Sequence, residues 1–346
     1  MPIRVAVDTM GGDLGHRVII RGAVRFLLED KINDTEIVFV GPEESVREYM
    51  KEIKADDKRL SVHNANNFIA MDAPPTDGIK KKDSSIAVAH RLLKEGTVDA
   101  LVSTGNTGAV MASAIFNLRR IGGVSRPAIA SMFPTSGDKP ALMLDVGANA
   151  VCKVHNLLEF AHMGSVYYSY MIDAPRPRVA LLSIGEENSK GNEVTVEANR
   201  QLSSGSLNFI GNIEGRDVLT GKADVVICDG FVGNILLKFA ESMKSFIFDK
   251  FRRQVSTNLF SRVGAGLMAP FLGRLKKTFD YSQYGGAPLL GVNGVTIICH
   301  GSSNEKAVMN GIRVARDMVA RKVNEHIVDQ LSSLRSLVRV KGNGSE

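Results

Sequence analysis

The stretch Leu101-Val-Ser-Thr-Gly-Asn-Thr-Gly-Ala-Val-Met-Ala112 decides how this chain is read. An apolar run from Val98 to Val102 passes into a turn of hydroxyls and glycine, and a helix of small residues opens at about Asn106. The first N–H groups of a helix have no intrahelical acceptor and carry partial positive charge, so such a turn suits an anion. Ser103, Thr104 and Thr107 add hydroxyl donors, and Gly105 lets backbone come close to a ligand. The plain alternative is an ordinary strand-to-helix turn in which Thr104 or Asn106 serves as N-cap.

The same grammar recurs outward from this point. Apolar runs at Ile3–Asp8, Glu36–Val40, Leu60–His63, Val98–Ser103, Ala128–Phe133, Ala141–Val146, Val179–Ile184, Leu207–Gly211, Ala223–Asp229 and Gly294–His300 read as strands. Helical patterns stand between them, at Arg17–Glu29, Ser84–Lys94, Thr107–Leu118, His155–Tyr170, Glu193–Leu202 and Asn304–Val328. Strands that are apolar throughout, each followed by a helix, predict a three-layer α/β/α fold with a mainly parallel sheet, Rossmann-like in class. No linker composition divides residues 1–346, which read as one α/β/α catalytic unit with one insertion.

That insertion is the stretch 244–277. It holds eight basic residues (Lys244, Lys250, Arg252, Arg253, Arg262, Arg274, Lys276 and Lys277) against the single acid Asp249, in a chain of net charge +6. The basicity is local, which argues against nucleic acid as partner. Phe248, Phe251, Val255, Leu259 and Val263 recur at helical spacing, and Gly264-Ala-Gly266 is where the turn of a helical hairpin is expected. A basic, amphipathic hairpin suits an acidic protein or an anionic membrane surface; its plain alternative is a core or dimer-interface helix.

Several strands end in glycine with polar neighbours: Asp8-Thr-Met-Gly11-Gly12-Asp13, Asp145-Val-Gly-Ala-Asn149, Ser183-Ile-Gly-Glu-Glu187, Cys228-Asp229-Gly230 running to Asn234, and Cys299-His300-Gly-Ser302-Ser303. In a parallel sheet these turns converge on one rim and form a polar cleft. Asp8 and Asp13 either orient a ligand there or cap their own turns. Asp145 and Asn149 are expected to hold their own turns. Lys190 is either a solvated lysine or a mobile cation that closes on phosphate. Cys299 reads as packing rather than as a nucleophile, because adjacent strand residues point to opposite faces.

Standard nucleotide signatures are absent. Gly215 and Gly221-Lys222 imitate a P-loop with the wrong spacing, and Gly264-x-Gly266 follows a helical stripe rather than a strand. Three cysteines without a C-x-x-C pair give neither a disulfide framework nor a zinc pattern, so no metal or cofactor is expected, in a reduced, cytoplasmic setting. The first strand starts at Ile3, which leaves no room for a signal peptide, and no apolar run is long enough to span a membrane.

Taken in order, these turns resemble the acyl-carrier-protein:phosphate acyltransferases of bacterial phospholipid synthesis, the PlsX family. The resemblance rests on Val7–Asp13, Lys81–Ser85, Ser103–Ala109, Leu144–Asn149, Leu182–Glu187, Cys228–Asn234, Tyr284–Gly294 and Cys299–Ser303. Leu14-Gly15-His16, the stretch Met71–Pro75 and Lys80 depart from the family's usual residues, all in loops. The resemblance implies transfer of a long acyl chain from acyl carrier protein to inorganic phosphate. It also implies a homodimer with a fold like phosphotransacetylases and the isopropylmalate dehydrogenase group.

On that basis the Ser103–Thr107 turn with Lys190 is expected to bind phosphate, and Asn234 with nearby N–H groups to hold the oxyanion. His300 is either a modest acid or a structural hydrogen-bonding group. Asp8, Gly11, Gly12, Asp13, Asp229, Gly230, Gly285, Gly286 and Ser302 are expected to line the substrate. The basic stretch is expected to dock carrier protein or an anionic membrane, which would place the enzyme peripherally at the inner face. Two rivals are a nicotinamide- and metal-dependent decarboxylating dehydrogenase of the same fold and a non-catalytic adaptor built on the basic stretch.

Overall fold

The computed structural model describes residues 2–255, 259–278 and 281–342. In chain order the strands are β1 (Ile3–Asp8), β2 (Thr35–Gly41), β3 (Leu60–Asn64), β4 (Ala100–Ser103), β5 (Ala128–Phe133), β6 (Ala141–Leu144), β7 (Val179–Leu182), β8 (Phe209–Ile213), β9 (Val225–Ile227), β10 (Ala287–Leu290) and β11 (Val295–Ile298). The helices are α1 (His16–Glu29), α2 (Glu43–Glu52), α3 (Asp77–Lys80), α4 (Ser85–Lys94), α5 (Thr107–Leu118), α6 (Val154–Met171), α7 (Glu193–Ser203), α8 (Gly230–Val255), α9 (Leu259–Thr278), α10 (Glu305–Ala320) and α11 (Val323–Gly342).

All the strands join one sheet in the order β3-β2-β1-β4-β11-β10-β5-β6-β9-β7-β8. Alternate residues of each strand feed opposite faces, as a two-residue period requires. Val5, Val7, Val102, Leu142, Leu144, Val225 and Ile227 pack on one face with α1, α6 and α10. Met143, Val226, Ile129 and Ile298 pack on the other with α5 and the first turns of α8. Burying both faces yields the expected three-layer α/β/α architecture with a mostly parallel sheet.

One strand is invisible in the sequence pattern, and it changes where the turns go. β10 is short, contains Pro288 and is flanked by glycines, all of which argue against a central strand. Yet it pairs antiparallel with both β11 and β5, and β5 in turn pairs antiparallel with β6. Each remaining pair in the sheet is parallel. The strands β6, β9, β7 and β8 therefore run opposite to β1, β2, β3, β4 and β11. The glycine turns do not converge on one rim, because the carboxyl ends of the two halves lie at opposite edges of the sheet.

The hairpin also differs in detail. Helix α8 ends at Val255 and α9 begins at Leu259, with residues 256–258 outside the described residues, while Gly264 and Gly266 sit inside α9. A glycine within a helix costs only about 1 kcal/mol relative to alanine, too little to end this one. The helix expected over Asn304–Val328 divides into α10 and α11 at Arg321 and Lys322, the latter at φ 50°.

Candidate functional site

At the first rim, the turns after β1, β4 and β11 meet backbone to backbone. Asp8 and Ser103 are register partners, as are Ser103 and Ile298. The Ser103 hydroxyl donates to Asp8 Oδ2 at 2.7 Å, and Gly105 N–H donates to Ser103 Oγ at 3.1 Å. Asp8 is fully buried and also accepts Met10 N–H at 3.0 Å. Burial raises its carboxyl above the ordinary range, against the lowering effect of Ser103, Ser85 and Met10 N–H. A Cβ on Gly11 would stand 2.3 Å from Gly105 N, so only glycine permits this approach. Gly12 has φ +84°, and a Cβ there would lie 2.9 Å from both Thr104 Oγ1 and Gly301 O. Asp13 N–H donates to Gly301 O at 2.7 Å, which ties the first turn to the last.

Helix α5 begins in this cluster. Asn106 caps it by accepting Ala109 N–H at 3.0 Å, and its amide donates to Met71 O and Ala73 O at 2.8 and 2.9 Å. Asn106 is thus the fastener between helix and loop, while Thr107 is exposed at the first turn. Thr104 and Ser303 are 2% and 3% exposed, and their hydroxyl oxygens have no partner among the described residues. His300 Nδ1 lies 2.7 Å from Ser302 Oγ and accepts Ser302 N–H at 3.2 Å. An accepting Nδ1 puts the neutral ring's proton on Nε2. Gly285 and Gly286 also stand at this edge. Cβ atoms there would meet the Asn310 backbone at 2.6 Å and the Cys299 thiol at 2.8 Å, so their close contacts are to the protein itself.

The second rim carries the turns after β6, β7 and β9. Asp145 Oδ1 accepts N–H bonds from Ile129, Gly147 and Ala148, and Oδ2 accepts Asn149 N–H at 2.7 Å and Asn149 Nδ2 at 2.9 Å. Asp145 and Asn149 hold their own turn, as expected from the sequence. Asp229 Oδ1 accepts Val232 N–H at 2.8 Å and Gly230 N–H donates to Asn149 O at 2.8 Å, so protein atoms already occupy the start of α8. Asn234 is half-buried beside Gly147. Lys190 is exposed in a loop held by the Ser183 hydroxyl, which donates to Lys190 O at 2.9 Å.

Lys190 and Asn234 are therefore not brought to the Ser103–Thr107 turn within one chain. Strands β11, β10 and β5 stand between β4 and β6, a separation of about 19 Å at ordinary strand spacing. His300 and Ser302 do share the first rim with that turn. Cys299 is buried and its thiol is pushed up to about 12, which leaves it protonated and unreactive at neutral pH. Ser303 is a residue that sequence reasoning misses in favour of Ser302. Its only sequence signal is a second serine, because its importance comes from tertiary burial.

From the second rim α8 runs for about 39 Å and α9 returns over about 30 Å. Phe231, Ile235, Phe239 and Phe246 form an exposed stripe along α8. Lys250, Arg252, Arg253 and Arg262 are exposed farther out, with Lys250 Nζ 5.7 Å from the Phe246 ring centre. The side chains of Lys244, Arg274, Lys276 and Lys277 lie outside the described residues. No helix among the described residues is long and apolar enough to cross a membrane.

Comparison with known proteins gives a consistent picture. A family model described as fatty acid synthesis protein matches residues 3–326. The chain is 48% identical over 332 residues to a phosphate acyltransferase of Heliobacterium modesticaldum, covering 94% of this chain and 98% of that protein. It is 46% identical over 333 residues to a phosphate acyltransferase of Moorella thermoacetica, covering 96% of each. Among solved structures, a phosphotransacetylase from Streptococcus pyogenes superposes with a TM-score of 0.61 at 17% identity, covering 92% of this chain and 94% of that one. At that identity the likeness speaks for the fold alone.

Proposed function

This chain belongs to the fatty acid synthesis protein family and is a phosphate acyltransferase, and from that premise we propose that it moves a long-chain fatty acyl group from acyl-carrier-protein thioester to inorganic phosphate. The product is an acyl phosphate for phospholipid synthesis. The observation that carries the reading is the first rim: three glycine turns closing on the start of α5, with two buried hydroxyls that have no protein partner among the described residues. The two hydroxyls and the first N–H groups of α5 are donors that a small oxyanion can accept from.

Hydrogen phosphate is itself a nucleophile toward a thioester. Its oxygen adds to the carbonyl carbon, the carbonyl oxygen gathers negative charge, and the C–S bond then breaks. The proton that hydrogen phosphate brings ends on the departing thiolate, so charge and atoms balance without an enzyme acid. The rim's tasks are to hold phosphate near the carbonyl and to stabilise the oxyanion. We assign phosphate to the Ser103–Thr107 turn and the developing oxyanion to the Nε2–H of His300. Lys190 and Asn234, on the second rim, are assigned to the acyl donor.

The exposed cations of α8 and α9 suit an acidic carrier protein first and anionic lipid second. The working unit is a homodimer whose residues 1–346 form one catalytic body bearing the basic hairpin. It acts in the cytoplasm and touches the inner face of the membrane peripherally. The deciding experiment is incubation with palmitoyl-acyl carrier protein and phosphate, followed by hydroxylamine trapping of acyl phosphate. Trapped product that scales with phosphate is expected. Thioester loss that is indifferent to phosphate, or no loss at all, overturns the reading.

A further inference from the structure

Each hydroxyl has a single proton to give, and beside the exposed Thr107 the turns that frame α5 and His300 hold the hydroxyls of Ser103, Thr104, Ser302 and Ser303. Ser103 directs its proton to Asp8, whose carboxylate is surrounded by the donors Ser103, Ser85 and Met10 N–H. Ser302 Oγ lies 2.7 Å from His300 Nδ1, which also accepts Ser302 N–H at 3.2 Å. Thr104 and Ser303 have no such commitment. Both side chains are more than nine-tenths buried, and neither oxygen has a partner among the described residues. A buried hydroxyl left unpaired costs on the order of 1–3 kcal/mol, so two in adjoining turns call for a shared explanation.

The backbone around them supplies it. Gly12 has no Cβ, and one there would stand 2.9 Å from both Thr104 Oγ1 and Gly301 O, so the first turn lies directly against that hydroxyl. Asn106 has taken the Ala109 N–H of α5, while the preceding N–H groups of that helix lack intrahelical acceptors. We propose that Thr104 and Ser303 are the hydroxyls that donate to the bound phosphate, and that Ser103 and Ser302 act as positioning residues for the turns that present them. The identity of the anion rests on the acyl-transfer reading above; the division of labour among the hydroxyls does not.

The test measures the melting temperature of the full chain against inorganic phosphate, with sodium chloride matched for ionic strength. A ligand that binds only the folded state raises the midpoint with its concentration. The wild type is expected to respond. Thr104→Val and Ser303→Ala should each need about ten- to a hundredfold more phosphate for the same rise, the range for a lost hydrogen bond to a charged group. Thr104→Ser, which keeps the hydroxyl, should respond within about threefold of wild type, and it covers the case in which Thr104→Val fails to fold. Ser103→Ala, which loosens the turn without removing a donor to the anion, should melt lower and lose less of the response than Thr104→Val. A wild type indifferent to phosphate, unchanged responses in Thr104→Val and Ser303→Ala, or a loss confined to Ser103→Ala would each overturn the assignment. Binding without acyl transfer would instead sink the activity and leave this site standing. Acyl transfer with an unaltered phosphate KM in both variants would do the reverse.

Discussion

The two rims start from one recipe and end in opposite states. Each joins the end of a parallel strand to a helix start through glycine, with a buried aspartate beneath. Asp145 accepts four backbone N–H groups and one side-chain amide, which closes its turn completely. Asp8 accepts one backbone N–H and otherwise leans on serine hydroxyls, while Thr104 and Ser303 nearby stay unpartnered among the described residues. A strand-end aspartate by itself therefore signals little; what counts is whether its turn has used up its donors. The comparison breaks most readily at Asp145. Asp145→Ala should lower unfolding free energy by roughly 4 kcal/mol, since several buried N–H groups lose a charged acceptor at once. Asp8→Asn, which keeps an acceptor and removes a buried charge, should cost about 1 kcal/mol. Urea unfolding of both variants checks this, and equal losses would erase the distinction between a fastened rim and an open one.

Acid probes the halves separately. His90 on α4 is fully buried, with Nδ1 3.0 Å from Ile86 O and 3.1 Å from Ser113 Oγ, and burial holds its pKa down to about 4. His162 on α6 lies in the second half and is held at about 4 for the same reason. Between pH 6.5 and 4 the unfolded chain takes up these protons and the folded chain does not, so stability falls as pH falls through that window. Each ring should contribute about 3 kcal/mol of that loss, since every tenfold drop in proton affinity on folding is worth about 1.4 kcal/mol. Replacing His90 by Gln should flatten its share of the slope, read from urea midpoints at about pH 7 and about pH 4.5. A slope that stays as steep in this variant contradicts the burial argument.

The fold was legible because the strands are apolar on both faces and the helices between them are not. Runs such as Ile3–Asp8 and Ala128–Phe133 match the strands end to end. The direction of the second half was not legible. It hangs on β10, four residues with a proline at a paired position, whose strand identity comes from its neighbours Ile297 and Ile129 rather than from its own composition. Candidate residues on the first rim were found because glycine and hydroxyl types cluster visibly in sequence. Which hydroxyls are engaged was hidden, since that depends on contacts between residues as far apart as Asp8 and Ser103.

The separation of the rims makes its own claim about Lys190 and Asn234. Had both acted on charge developing at the Ser103 turn, each alanine variant would lose about 10²–10³ in rate. Placed beyond β11, β10, β5 and β6 on the opposite rim, they are expected to serve the acyl donor instead. Lys190→Ala and Asn234→Ala should raise KM for the acyl donor by about tenfold, the size of one lost hydrogen bond to a polar partner, and leave KM for phosphate within about twofold. Steady-state kinetics with each substrate varied in turn decides the matter. A joint loss in kcat and phosphate KM would mean that the two rims meet, by closure or across a dimer.

The smallest effect belongs to the projection, and it tests from which side the donor arrives. Helix α8 leaves from the second rim at Gly230, so a carrier protein held by Lys250, Arg252, Arg253 and Arg262 would approach on that side. These groups are exposed, and attraction between exposed charges fades over roughly 8–10 Å at physiological salt. Reversing Arg252, Arg253 and Arg262 to Glu should therefore raise KM for acyl carrier protein only a few-fold at about 0.1 M salt, and the gap should close towards about 1 M, where screening shortens to about 3 Å. Turnover of a small acyl thioester that needs no docking should be unchanged at either salt, and so should KM for phosphate. Equal losses on the small thioester would place the hairpin inside the reaction site. A gap that persists at high salt would assign the arginines to packing rather than to docking, since buried contacts are not screened.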